Sequence, residues 1–215
     1  MKKNSIVIKH SNDDSAAIWS TIDPLILDHH LWPDNDYKPE VKARIYYSSD
    51  SLHIQFQTYE DDPTITYFKS NDPVCRDSCV EFFFQPVPAL DQRYLNFELN
   101  AAGTLLLGLG TGRNDLTQVA DMTTEIFQIK PATGLTDSEF GRRYWELEFR
   151  IPFTFISSLF PDFEAVSGAV MSGNFYKCGD DTPAPHYLSW NLVTSETPDF
   201  HRSSDFGQII FGASS

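Results

Sequence analysis

Apolar and polar residues alternate with a period of two along most of this chain, the pattern of half-buried strands whose successive side chains point to opposite faces. Val41 to Tyr47 sets Val41, Ala43, Ile45 and Tyr47 against Lys42, Arg44 and Tyr46. Leu52 to Thr58 sets Leu52, Ile54, Phe56 and Thr58 against His53, Gln55 and Gln57. The polar Ser48-Ser49-Asp50-Ser51 between them predicts a turn, so the two runs read as a β-hairpin. Tyr144 to Ile151 is cleanly amphipathic, with Trp145, Leu147, Phe149 and Ile151 on one face and Tyr144, Glu146, Glu148 and Arg150 on the other. Further strands are predicted at Thr104–Leu109, Glu125–Ile129, Ala169–Tyr176, Tyr187–Val193 and Gly207–Phe211. Pro152 ends its strand, and Phe153 to Phe160 is predicted to form one short helical turn. No sustained 3.6-residue period and no internal repeat is visible. The elements add up to an all-β chain, an antiparallel β-sandwich of jelly-roll type with about ten strands and one short helical segment. Residues 1–215 are read as a single domain.

The same alternation carries the chemistry in Arg76 to Gly103. Val80, Phe82 and Phe84 alternate with Glu81 and Gln85, with Phe83 interrupting the polar set. Leu95, Phe97 and Leu99 alternate with Tyr94, Asn96, Glu98 and Asn100. One face of this unit is therefore apolar and the other rich in hydrogen-bonding groups, a surface suited to a neutral polyhydroxylated ligand such as a sugar. Glu81 and Asp77 can accept hydrogen bonds from hydroxyls; the alternative is a solvated face with ion pairs to Arg76 or Arg113. Tyr94, Asn96, Glu98 and Asn100 either line a groove or form an ordinary outer face, with Asn100 capping the turn before Gly103.

Composition narrows the partners. A formal net charge of −14 repels nucleic acid and anionic membrane surfaces, and is compatible with a neutral ligand or a cation. No apolar run approaches the roughly 20 residues that span a bilayer, so no membrane insertion is expected. The N-terminal MKKNSIVIKHSNDDS lacks the apolar stretch of a signal peptide, so the chain as written reads as cytoplasmic, or as periplasmic or extracellular if a leader was removed. Three cysteines form no disulfide framework. Cys75 and Cys79 on an extended strand would stand about 13 Å apart, beyond the roughly 7 Å a disulfide allows between Cα atoms, so reduced, packed thiols are expected.

Among the tryptophans, Trp145 and Trp190 share parity with apolar neighbours and read as core. Trp32, before Pro33 in a polar loop, is free to stack on a ligand, and Trp19 has no assignable position. The glycines of LGLGTGR before Arg113 lack the βαβ setting of a dinucleotide fingerprint and read as a strand end that turns; Arg113 can still reach ligand hydroxyls. Glu81 with Glu98 can meet the spacing that glycosidases need between two carboxylates, which makes a glycoside hydrolase the alternative to a non-catalytic module. Asp180-Asp181 and Asp34-Asn35-Asp36 could offer oxygen ligands for calcium, but neither has EF-hand spacing, and ordinary solvated loops are the favoured reading.

Three segments carry a family resemblance. Asp77-Ser78-Cys79-Val80-Glu81-Phe82-Phe83, Asn96-Phe97-Glu98-Leu99-Asn100-Ala101-Ala102-Gly103 and Phe206-Gly207-Gln208-Ile209-Ile210-Phe211, in that order, resemble the acidic strand, the following strand with its N-x-x-G turn, and the closing F-G strand of the family 9 carbohydrate-binding modules and their DOMON-like relatives. The resemblance implies a β-sandwich that binds sugar, often a terminal unit, by aromatic stacking and a polar clamp, with structural calcium in some members; the chain is read as a stand-alone binder or an accessory to a glycan-degrading system. Glu81 matches the family's clamp glutamate, and Glu98 stands where the family has an arginine. One stacking aromatic falls near Cys75, with Tyr67 and Phe68 the nearest substitutes; the other falls on Phe200, beside His201. DOMON relatives include haem binders with methionine or histidine axial ligands, for which Met122, Met171 and His186 are the candidates here.

Overall fold

The computed structural model describes residues 3–119 and 124–213. Among these residues the alternating segments form two packed layers of strands. One layer runs, in spatial order, β10 (Lys130–Thr136), β11 (Arg143–Pro152), β5 (Ser51–Tyr59) and β4 (Glu40–Tyr47), with the two-residue β2 (Leu25–Ile26) also on β4. The other runs β14 (Gly207–Phe211), β12 (Val170–Cys178), β6 (Cys79–Gln85), β7 (Tyr94–Asn100), β8 (Leu105–Gly110) and β9 (Thr117–Gln118). β13 (Tyr187–Ser189) pairs with the end of β12 and with β3 (His29–His30).

β1 (Ser5–His10) joins the layers. Ser5 to Ile8 run parallel to Gln208 to Phe211, and Lys9 and His10 run parallel to Tyr46 and Tyr47. The sandwich is therefore a curled mixed sheet of 14 strands rather than an antiparallel one of about ten. The reason is local for four of them: β2, β3 and β9 are two residues each, too short to show a period, and β10 carries Pro131 and Gly134. Glu125–Ile129 is not a strand either. Thr124–Phe127 is a 3-10 turn, closed by Gln128 at φ 46° and held by the Phe127 ring against Phe97 and Phe155 at 5.1 and 5.2 Å. The expected helical turn is α1 (Phe153–Leu159), which follows Pro152 directly. No helix among the described residues is long and apolar enough to cross a membrane.

The inward sets of both layers make the main core. Val80, Phe82, Phe84, Leu95, Phe97 and Leu99 face Val41, Ala43, Ile54, Phe56, Trp145, Leu147 and Phe149, all buried. Phe82 stacks on Phe84 and Phe175 at 4.7 and 4.6 Å between centroids. Each such ring contributes about 1.5–3 kcal/mol by leaving water, which is what fixes the register of β6 against β7. Asn100 closes the β7–β8 connection: its Oδ1 accepts from the backbone of Ala102 and Thr104, and Gly103 takes φ 79°, the left-handed region that glycine enters freely.

At the end of β12 the core holds an ion pair. Lys177, fully buried, places Nζ 3.4 Å from Glu60 Oε2, and it donates to the Cys178 carbonyl and to His186 Nε2. Glu60 also accepts from Trp145 Nε1 and Ser78 Oγ. Burial alone would raise the Glu60 acid, but Lys177 and these two donors outweigh it and hold it below its ordinary value.

The outward face of β6 and β7 departs from expectation. Every residue of both strands is buried. A second cluster lies on this face, with Phe83, Tyr94, Tyr176 and Cys178 covered by Leu31, Val193, Phe200 and Phe206 from long connections. Phe83, which interrupts the polar alternation, points into that cover.

Candidate functional site

The cover is incomplete, and the gap is a cavity of about 430 Å³. Its floor is the outward face of the second layer, with Glu81 from β6, Glu98 from β7, Leu106 from β8 and Cys178 from β12. Trp32 after β3, Tyr187 of β13, and Phe200 with His201 before β14 form one wall; Arg113, Leu116 and Gln118 close the other. The backbone amides of Asp180 and Asp181 bond the carbonyls of Cys75 and Arg76, which sets Asp180 and Cys75 side by side at the edge. A more open groove of about 700 Å³ lies at Glu40, Tyr59, Phe140 and Arg142. Both of its cations are already paired, Lys42 with Glu40 and Arg142 with Glu40 and Asp137, so it offers less unsatisfied chemistry than the smaller cavity.

Glu81 and Glu98 are direct cross-strand partners, which puts their Cβ atoms about 5 Å apart. Both are buried, at 2% and 6% exposure. Glu81 Oε1 accepts the Cys178 thiol at 3.1 Å, whereas Glu81 Oε2 has no partner. Glu98 Oε1 accepts from Asn96 Nδ2 at 2.7 Å. Burial, and then the Glu98 charge, push the Glu81 acid well above the ordinary carboxylate range. Burial lifts Glu98 from 4.5 to about 7, against the hydrogen bond from Asn96. Burial likewise raises Asp180. Near neutral pH the floor is therefore partly protonated, able both to donate and to accept.

The residues singled out in the sequence divide into two groups. Glu81, Glu98, Arg113, Trp32, Phe200 and His201 all line the cavity. Trp32 takes φ 45°, an uncommon conformation for a bulky residue, and is held there by Nε1 donating to the Ser195 carbonyl at 2.7 Å and by the Tyr187 and Phe200 rings. Phe200 stacks on Tyr176 at 4.2 Å. Arg113 sits at the mouth, bonded to Asp199 Oδ1 and the Pro198 carbonyl. Burial and then Arg113 lower His201 to about 4, so its ring is neutral.

The others lie beneath. Tyr94 is buried with its hydroxyl 2.8 Å from His201 Nδ1. Asn96 supports Glu98 from below. Asp77 is buried, and its Oδ2 accepts from the Thr66 and Tyr67 amides and from Asn100 Nδ2, which also reaches the Tyr67 carbonyl. These two side chains anchor the 61–78 loop to the sheet, so neither offers its polar atoms to the cavity. Arg76 pairs with Asp181 and not with Glu81.

Asp180, Tyr187, Cys75 and Cys178 join the site without having been singled out as ligand contacts. The predicted strand ends at Tyr176, two residues short of Cys178, whereas β12 runs on to Cys178 and carries its thiol into the floor. All three thiols are free. Cys79 Sγ, Cys178 Sγ and a Glu81 oxygen lie within 4.8 Å of one another, and burial pushes the Cys79 thiol up to about 12.

Several of the side chains considered for calcium and haem are engaged within the protein. Asn35 Nδ2 bonds Asp34 and its Oδ1 takes the Tyr37 amide, while Asp181 pairs with Arg76. For haem, both His186 ring nitrogens are engaged, with Lys177 and the Ala184 carbonyl, and Met171 is enclosed in the main core. Met122 lies outside the described residues.

A two-layered sandwich with a half-covered polar and aromatic cavity on the outward face of one layer is the arrangement of a ligand-binding β-sandwich module. A model described as carbohydrate-binding family 9 matches residues 13–211, and the chain belongs to that family. Similar solved structures include a candidate carbohydrate-binding protein from Bacteroides uniformis, 31% identical, covering 98% of this chain and 100% of that one with a TM-score of 0.80. A carbohydrate-binding module family 9 from Caldicellulosiruptor kristjanssonii in complex with glucose is 16% identical over 99% of this chain and 97% of its own, TM-score 0.65. Another from that organism, in complex with cellotriose, is 17% identical over 99% and 92%, TM-score 0.58. At such identities the likeness to these two is one of fold. A search of curated proteins finds no match.

Proposed function

We propose that this chain is a carbohydrate-binding module whose cavity takes the terminal unit of a saccharide, holding a glycan for a degrading system. Family membership and the glucose and cellotriose bound by proteins of the same fold support a sugar ligand. The observation that carries the reading is the buried Glu81–Glu98 pair at the floor of an aromatic-walled cavity, with Glu81 Oε2 unpartnered. Trp32 gives the apolar face of a pyranose ring a flat surface, and partly protonated carboxyls match hydroxyls that donate and accept. Arg113 at the mouth reaches outer hydroxyls.

A binding role accounts for the site better than hydrolysis. A glycosidase places its two carboxyls on either side of the scissile bond, whereas Glu81 and Glu98 rise side by side from one floor. A saccharide screen by calorimetry or glycan array, on wild type and on Glu81→Ala and Trp32→Ala, tests the proposal. At least one saccharide should bind, tenfold or more weaker to each variant. Binding of no saccharide by a folded wild type overturns it, and release of reducing sugar lost in Glu81→Gln would replace it with the hydrolase.

A further inference from the structure

We propose that the sugar unit seated in this cavity carries a free amine, a hexosamine bound as its ammonium on Glu81 and Glu98, a ligand class that rests on the saccharide-binding reading above. Four carboxylates line the cavity, Glu81, Glu98, Asp180 and Asp199, against one cation, Arg113. That guanidinium is spent at the mouth on Asp199 and the Pro198 carbonyl, and it is 58% exposed. His201, the other basic side chain in the lining, is neutral and tied to Tyr94. Among the described residues no cation is paired with the floor carboxyls, and Arg113 acts on them only from the mouth.

The buried Glu81 makes this more than a patch of acids. It is 2% exposed, lines the cavity, and leaves Oε2 without any partner. Its Oε2 lacks a hydrogen-bond partner, and its ionised form would also lack a counter-charge, which is why burial keeps the proton on it. A hydroxyl supplies only the donor. An ammonium supplies the charge as well, with three N–H groups for the adjacent acids, and the protons that burial keeps on the pair leave to solvent as it enters. Trp32, Tyr187 and Phe200 surround the same space, and aromatic faces attract cations most where water is excluded. The net charge of −14 draws a cationic ligand from solution.

The test is calorimetry, at fixed pH 7 and ionic strength, with three trisaccharides: fully deacetylated chitotriose, N-acetylated chitotriose and cellotriose. The amine form should bind at least tenfold tighter than either neutral form. Glu98→Gln and, separately, Asp180→Asn should each cut the ratio of amine to neutral affinity, by tenfold and by about threefold, with unchanged melting cooperativity showing that the variants are folded. Trp32→Ala should weaken the amine form, placing it in this cavity. Equal or tighter binding of a neutral trisaccharide overturns the amine preference and leaves the saccharide reading intact. Amine binding indifferent to Trp32→Ala, or Glu98→Gln weakening all ligands alike, also overturns it. Binding of none of these and no other saccharide is the failure of the saccharide reading itself.

Discussion

Substituting Gln for Glu98 keeps the length of the side chain and the oxygen that accepts from Asn96 Nδ2 at 2.7 Å, and removes only the ability to ionise. In the folded protein this acid titrates at about 7 instead of 4.5, chiefly because it is buried. The folded state thus holds a proton that the unfolded chain releases between those values. A group whose folded value is raised lends its full stability below the unfolded value, and that stability is lost as pH climbs toward the folded one. Lifting an acid from 4.5 to about 7 at roughly 1.4 kcal/mol per pH unit costs about 3 kcal/mol above pH 7. Glu98→Gln escapes this cost. Urea unfolding of wild type and variant should agree near pH 4, diverge through pH 6, and differ by about 3 kcal/mol at pH 8 in favour of the variant. In a thermal melt at pH 8 that is roughly 6–12 °C for a chain of this size. A difference that is the same at pH 4 and pH 8 would refute the reasoning, because Glu98 would then be seeing water in the folded state.

Other predictions follow the packing. Gly108→Ala puts a Cβ 2.3 Å from Asn96 Oδ1 and 2.9 Å from the Leu116 side chain; it should cost about 1–3 kcal/mol in urea unfolding and weaken saccharide binding by displacing the Leu116 wall. Lys177→Met leaves Glu60 charged and buried, which should cost about 3–5 kcal/mol, and adding Glu60→Gln should recover most of it in the same unfolding assay. Asp77→Ala removes the acceptor for the Thr66 and Tyr67 amides and for Asn100, and should lower stability by about 3 kcal/mol while raising protease cleavage within 61–78. Cys79 and Cys178, buried and held as thiols, should resist iodoacetamide at pH 8 in native protein and label once urea unfolds it.

The strands most legible in the sequence are those with one face against the core and one facing outward. β4, β5 and β11 keep Lys42, Arg44, Gln57, Glu146 and Arg150 on the outward side, and their period of two survives in the observed register. Pro152 likewise marks the start of α1. β1 was obscured because its pairing is parallel and divided between two partners, which no local pattern encodes. The segment 125–129 misled because its alternation comes from Phe127 entering the core from a turn.

For the site, the period of two placed Glu81 and Glu98 on one face, while only the structure shows that Arg76 and Arg93 of the same stretch pair elsewhere, with Asp181 and Asp91. That period also put Tyr94, Asn96 and Asn100 there, and could not tell that these lie under other segments. Phe83 was the sign that this face is covered. Whether a polar strand face meets water depends on what lies over it, and here that is Trp32, Tyr187 and Phe200, brought in from distant positions. The bond from Trp32 Nε1 to the Ser195 carbonyl links residues 163 apart. Side-chain direction along a strand is a local property, so the sequence by itself determined that Glu81 and Glu98 point to the same face. Burial, and with it the protonation of Glu81 and Glu98, depends on the solvent displaced by remote loops, and only the tertiary structure decided it.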